Sequence, residues 1–183
     1  MNKVFVFLAE GFEEIEALTA VDLLRRADLN VRMAAVSPGE FITGAHGIVI
    51  RPDMYLEAVR LEDAVMLVLP GGNPGTMNLN KSEQLLDLLK TADSQKIPIG
   101  AICAAPRILG ELGVLEGKQA VCYPGNEEWL KGAEVLKVPV VTDGHITTGR
   151  GMGTAIDFSL ELITRLKGKE EAKRIAASII YEK

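Results

Sequence analysis

A cysteine set between an apolar strand and a helix is the position in this sequence best suited to covalent chemistry. In Ile97-Pro98-Ile99-Gly100-Ala101-Ile102-Cys103-Ala104-Ala105-Pro106-Arg107 the apolar run ends at Cys103, and apolar residues then recur at helical spacing to Leu112. A thiol in such a turn points away from the sheet. It also stands at the positive end of the following helix, which favours thiolate, the nucleophilic form. The same residue equally suits a packed core, because free cysteine is among the most buried residue types. A cysteine acting on a carbonyl needs donors for the developing oxyanion and a group that moves protons. Gly71 and Gly72 can bring backbone N–H groups close to a substrate, and the N–H of Ala104 lies beside the thiol. A carboxyl from Glu13, Glu14 or Glu16 can carry the proton; in an apolar pocket its pKa rises, and its protonated form hydrogen-bonds sulfur. Plainer readings stand beside these: acidic residues in a first helical turn complement the helix dipole, and Gly-Gly is a common turn.

Four further residues have polar chemistry with a bland alternative. His46 falls in a hairpin, where an exposed histidine is ordinary. Cys122 could act as a resolving thiol for Cys103 or simply fill space in the core. Arg150, in Gly149-Arg150-Gly151-Met152-Gly153, resembles a phosphate grip ahead of a helix, but the spacing fits neither a Walker loop nor a dinucleotide fingerprint, so a structural turn is the simpler reading. Trp129 reads as a packing anchor.

The elements that must position these residues alternate along the chain. Lys3 to Leu8 reads as a central strand and Glu13 to Ala27 as a helix with Ile15, Leu18, Val21 and Leu24 on one face. Val31 to Val36 is a second strand, and Phe41 to Ile50 a hairpin turning near Gly44, expected as an inserted edge. Val65 to Leu69 is buried strand, followed by the loop Pro70 to Gly75 and a helix from about Lys81 to Lys90. After the Cys103 strand come a short strand over Gln119 to Cys122, an Asn126-capped helix to Lys131, and a hairpin of Val138 to Val141 with His145 to Thr148, turning at Asp143-Gly144. Helices over Ala155 to Leu166 and Glu170 to Ile180 close the chain. Such alternation predicts an α/β fold: a mostly parallel sheet with helices on both faces, and a site beyond the carboxyl ends of the strands. In a flavodoxin-like strand order the loops after Leu8, Leu69 and Ile102 lie side by side, which would gather Glu10 to Glu16, Gly71-Gly72 and Cys103 into one crevice.

Composition narrows the function classes. The 183 residues, 48% hydrophobic and 25% charged, fit a single domain over 1–183 with its own core. A net charge of −5 without a basic cluster argues against a nucleic-acid surface. No stretch is long enough to span a bilayer, and Val4 to Ala9 lacks the features of a signal peptide, so a cytoplasmic protein with no membrane partner is expected. Two cysteines and two histidines without ligand spacing suggest neither a metal nor another cofactor, and suit a reducing compartment.

Taken together, Glu10-Gly11-Phe12-Glu13-Glu14-Ile15-Glu16, Leu69-Pro70-Gly71-Gly72-Asn73, Ala101-Ile102-Cys103-Ala104-Ala105-Pro106 and Arg150-Gly151-Met152-Gly153-Thr154-Ala155 resemble the DJ-1/ThiJ/PfpI superfamily, and within it the DJ-1 branch. The resemblance runs over nearly the whole chain. It implies a flavodoxin-like sandwich, a homodimer, Cys103 as reactive cysteine, Glu16 as the carboxylate that holds it, and Gly71, Gly72 and Ala104 as the oxyanion pocket. It also places His46 where some relatives carry an arginine that reaches the partner subunit's site. Tyr123 stands where many members have a histidine before the proline that is Pro124 here, which makes Tyr123 a candidate and removes a histidine base. Ala104 stands where the peptidase-like branch has histidine, which counts against proteolysis. The functions implied are a glutathione-independent glyoxalase converting a small reactive aldehyde, methylglyoxal, to lactate, or a related deglycase. A redox-sensing stress protein or chaperone that oxidises Cys103 is the alternative.

Overall fold

Strands β1 (Lys3–Leu8), β6 (Ala64–Leu69) and β7 (Ile99–Ile102) form the middle of a seven-stranded sheet in a computed structural model that describes residues 2–182. Apart from Lys3 at the start of β1 they are apolar, because both faces are covered. Along β1, Phe5 and Phe7 face one side and Val4, Val6 and Leu8 the other, and all five are fully buried. The first set packs with Leu67, Leu69, Leu85, Leu89, Ile108 and Leu109. The second packs with Leu24, Phe158, Leu162, Ile163 and Ile175. Helices α3 (Glu83–Ser94) and α4 (Pro106–Glu111) therefore cover one face, and α1 (Glu14–Arg26), α5 (Ala155–Lys167) and α6 (Lys169–Ser178) the other.

The strand order is β10-β11-β7-β6-β1-β2-β5, with β2 over Asn30–Ala35, β5 over Met54–Tyr55, β10 over Val140–Asp143 and β11 over Ile146–Gly149. All pairs are parallel except β10 with β11, so the fold is the expected mostly parallel flavodoxin-like α/β sandwich. β1 pairs with β2 on one side and β6 on the other. The chain thus reverses direction across the sheet beside β1, and the carboxyl ends of β1, β6 and β7 meet at that switch.

Several local expectations are corrected. The hairpin of β3 (Ile42–Thr43) and β4 (Val49–Ile50) is a separate two-stranded sheet, and the edge of the main sheet is β5. The hairpin instead docks on the β1–α1 loop, where Gly11 N–H donates to Thr43 O at 2.8 Å and Ala45 N–H to Phe12 O at 2.8 Å. The Gln119 to Cys122 strand shortens to β8 (Gln119–Ala120), which pairs with β9 (Glu134–Val135) outside the main sheet. The helix expected from about Lys81 to Lys90 is α3, whose N-cap Ser82 accepts from Leu85 N–H at 3.3 Å, and a further short helix, α2 (Gly75–Asn80), precedes it where the sequence reading has no helix. Asn126 caps no helix through its side chain; Glu127–Trp129 is a single 3-10 turn, and Asn126 Nδ2 donates back to Tyr123 O. His145 is buried against Asp93, 2.7 Å from Nε2, and ties the β10–β11 turn to α3.

Helix α5 approaches the sheet closely because the strands present glycines under it. A Cβ on Gly100 would lie 3.0 Å from the Phe158 ring, and one on Gly149 2.9 Å from it. Phe158 fills this space completely buried. Phe158→Ala is expected to lower stability by about 3–5 kcal/mol, read from urea unfolding, because the flat glycine surface cannot collapse into the void.

Candidate active site

Cys103 follows directly on β7 in the left-handed region, with φ of 65°. A side-chain-bearing residue adopts this conformation only where its surroundings hold it. Here the backbone is clamped on both sides: Cys103 N–H donates to Gly149 O at 2.9 Å, and Tyr123 N–H donates to Cys103 O at 2.7 Å. The bend turns the thiol out of the sheet, as the strand-to-helix reading requires. The helix dipole is not what governs it, however. Helix α4 starts only at Pro106, which has no N–H, and runs for six residues. Burial pushes the Cys103 thiol well up, and the neighbouring Glu16 carboxylate pushes it further by its charge and as an acceptor. The N–H groups of Ala104 and Gly72 pull the other way by donating to the sulfur. This corrects the expectation of a thiolate made ready by the helix.

Of the three acidic candidates, Glu16 meets the thiol. Its side chain leaves the first turn of α1 almost fully buried, and Oε2 accepts from Gly71 N–H at 2.8 Å. Oε1 is buried without a hydrogen-bond partner among the described residues. Burial raises the Glu16 pKa to about 7; the contact with Cys103 and the Gly71 N–H oppose this, and the charge of Glu13 adds to it. Near neutral pH the carboxyl is therefore partly protonated, beside a thiol that burial and the carboxylate hold in its protonated form. Gly71 makes the contact possible: a Cβ there would lie 2.7 Å from both Cys103 Cβ and Glu16 Oε2.

Backbone stitches bring the loops together. Glu13 N–H donates to Gly71 O, and Gly75 N–H to Gly11 O, both at 2.9 Å. Gly72 has φ of 103°, and a Cβ on it would meet the Glu13 N and Gly11 O atoms. The three loops after β1, β6 and β7 thus form one wall, beside a cavity of about 610 Å³.

The other candidates divide clearly. Cys103, Glu16, Gly72, Ala104, His46 and Tyr123 all line the cavity, with Gly71 behind the Cys103–Glu16 contact. Arg150 does not reach it: its guanidinium donates to Lys137 O at 3.1 Å and its N–H to Pro139 O, so it braces a loop. Cys122 is buried in the apolar cluster on one sheet face, whereas Cys103 packs against the other, so the arrangement favours packing over a resolving role. Glu14 is buried under the hairpin, accepting from His46 N–H at 2.6 Å and facing His46 Nδ1 at 2.9 Å. Burial works upward on it, but these partners outweigh that and hold its carboxyl below the usual range. Glu13, Glu14 and His46 bring three donor atoms within 4.8 Å of one another, as metal ligands could, yet the Glu14–His46 contacts already form a hydrogen-bonded tether. Sequence reasoning passed over the wall made by Asn80, Lys81, Arg107 and Asn126. A signal existed in Arg107, a cation in a first helical turn where the dipole favours an anion.

The raised Glu16 pKa has a stability consequence whose sign is fixed. Because the folded value of about 7 exceeds the ordinary 4.5, ionised Glu16 costs stability above pH 7, and that cost disappears as pH falls towards about 4.5. Glu16→Gln is expected to be more stable than the native protein near pH 8, by up to about 3 kcal/mol, with the gap closing near pH 5. Urea unfolding at the two pH values measures it.

Among the described residues no helix is long and apolar enough to cross a membrane. The DJ-1/PfpI family model matches residues 2–165. The protein dj-1beta of Drosophila melanogaster is 37% identical over 181 residues, covering 98% of this chain and 97% of that one. A deglycase of Pyrococcus abyssi is 31% identical over 168 residues, covering 90% and 99%. The structure of oxidized DJ-1 from Toxoplasma gondii superposes with a TM-score of 0.95 at 36% identity, covering 100% of both chains. With its matching fold and a family model that covers most of its length, the chain belongs to the DJ-1/PfpI family.

Proposed function

We propose that this protein is a cysteine-dependent, glutathione-independent glyoxalase that converts methylglyoxal to lactate, or a deglycase that uses the same chemistry. The observation that carries the reading is the Cys103 thiol facing a Glu16 carboxyl with a pKa near 7, at the wall of a roomy cavity. The deglycase name of the Pyrococcus relative supports the same substrate chemistry.

In the proposed reaction Cys103 sulfur attacks the aldehyde carbon while its proton passes to Glu16. The N–H groups of Gly72 and Ala104, which already point at the sulfur, are placed to take the developing oxyanion. Glu16 protonates that oxygen, giving a hemithioacetal. Its carboxylate then removes the proton from the former aldehyde carbon, forming an enediolate; the hydroxyl proton on that carbon passes to the neighbouring oxygen, and Glu16 returns its own proton to the neighbouring carbon. The product is a lactoyl thioester at Cys103, which water hydrolyses to lactate and free thiol. The aldehyde carbon is oxidised and its neighbour reduced, so no external oxidant enters.

A redox-sensing role is the second reading, supported by the oxidized state named for the Toxoplasma structure. We further propose a cytoplasmic homodimer. The exposed Ile15, Phe41, Ile48 and Val49 on and beside the hairpin and first turn of α1 offer it an apolar face, and two unpaired cysteines suit a reducing compartment.

Native protein is expected to make lactate from methylglyoxal without glutathione, followed by proton NMR, and Cys103→Ser to make none. No lactate from fully reduced native protein would end the glyoxalase reading and leave redox sensing. Glu16→Gln should lower kcat by about 10²–10⁴-fold. The native kcat/KM should fall as pH drops below about 7, where the pair takes up a second proton.

A further inference from the structure

The cavity is much larger than a three-carbon aldehyde fills, and its charges are segregated. Acidic Glu13 and Glu16 lie on the wall built from the start of α1. Different lining segments, the end of α2 and α4, carry Lys81 and Arg107.

Arg107 is held ready for a ligand. Its guanidinium lies over the Trp129 ring at 3.7 Å, which fixes its plane. Its Nε donates to Glu111 Oε1 at 2.8 Å, and the other oxygen of Glu111 accepts from Asn80 Nδ2 at 2.6 Å. Glu111 therefore orients both donors from behind. The two terminal nitrogens of Arg107 have no partner among the described residues, and Lys81 makes no ion pair among them. Glu111 cancels one positive charge; Lys81 leaves these segments with an excess. A planar guanidinium with its outer edge free matches the paired oxygens of a carboxylate or phosphate.

Resting on the glyoxalase reading, we propose that the substrate is a 2-oxoaldehyde carrying an anionic group on a short carbon chain, with Arg107 and Lys81 binding that group while Cys103 takes the aldehyde. Arg107 is then a specificity residue. The anion takes no part in the bonds made and broken, and the product is the matching 2-hydroxyacid with its anion intact.

The test compares kcat/KM for 4,5-dioxopentanoate, for 3-phosphooxy-2-oxopropanal and for neutral methylglyoxal. A preference of about ten-fold or more for either anionic substrate is expected, and the better one tells carboxylate from phosphate. Arg107→Met, which keeps the stem over Trp129, should bring the ratio towards one, mainly through KM, and Arg107→Lys should restore part of it. Lys81→Met, on an exposed position, should lower the ratio independently of any folding defect in the Arg107 variants. A native ratio near one overturns the proposal while leaving the glyoxalase reading intact. If no 2-oxoaldehyde is turned over, that reading fails, and protection of Cys103 from iodoacetamide decides on the anion site. Levulinate protecting better than its neutral methyl ester, with the difference lost in Arg107→Met, would support the site; equal protection would overturn it.

Discussion

One buried contact organises the site: the carboxyl of Glu16 against the thiol of Cys103. Two acids that both resist ionisation have been placed where each controls the other's proton, and the cost is met by the core around them. Among the described residues, Glu16 is held by a single backbone N–H, that of Gly71, and by nothing else apart from the thiol. Removing water from the pair strengthens their mutual influence. It also explains the surrounding glycines, since any side chain at Gly71 would occupy the space in which the two groups meet.

The constraint extends outward through the backbone. Cys103 keeps its left-handed conformation because Gly149 and Tyr123 hold it from opposite sides, and those residues belong to β11 and to the segment after β8. On the other side, Glu14 fastens the hairpin, whose His46 lines the cavity. Neighbouring residues on one helical turn thus do different work: Glu16 faces inward to the chemistry, Glu14 fixes a loop, and Glu13 stays on the cavity wall. Separating them requires knowing how the turn is rotated, which spacing alone does not reveal.

That distinction marks how far the sequence could be read. The three central strands were legible because burial on both faces makes them continuously apolar, and with them came the neighbourhood of Glu16, Gly71, Gly72, Ala104 and Cys103. The short pieces were not legible. Two-residue strands such as β5, β8 and β9 have no periodicity to detect, and α2 is too short to show a face. Arg150 looked like a ligand grip because glycines flank it, yet its hydrogen bonds go to the loop it supports. The thiolate expected from a following helix failed for a local reason, a proline at its start and a turn before it. The cation wall went unnoticed because Asn80, Lys81, Arg107 and Asn126 come from separate segments that only the fold brings together.

The strand order has a consequence for when the Cys103–Glu16 pair comes together. The thiol and its carboxyl come from opposite halves of the sequence and meet only after β1, β6 and β7 have aligned as parallel neighbours. Parallel pairings of this kind close long loops and form late, since the entropy lost in closing them is recovered only when the sheet is assembled. A partly folded chain, or one still emerging from synthesis, carries Cys103 as a plain thiol with no buried acid beside it. The Cys103–Glu16 contact is therefore absent until the middle of the sheet is complete, and maturation of the fold is itself the step that buries the thiol beside its carboxyl.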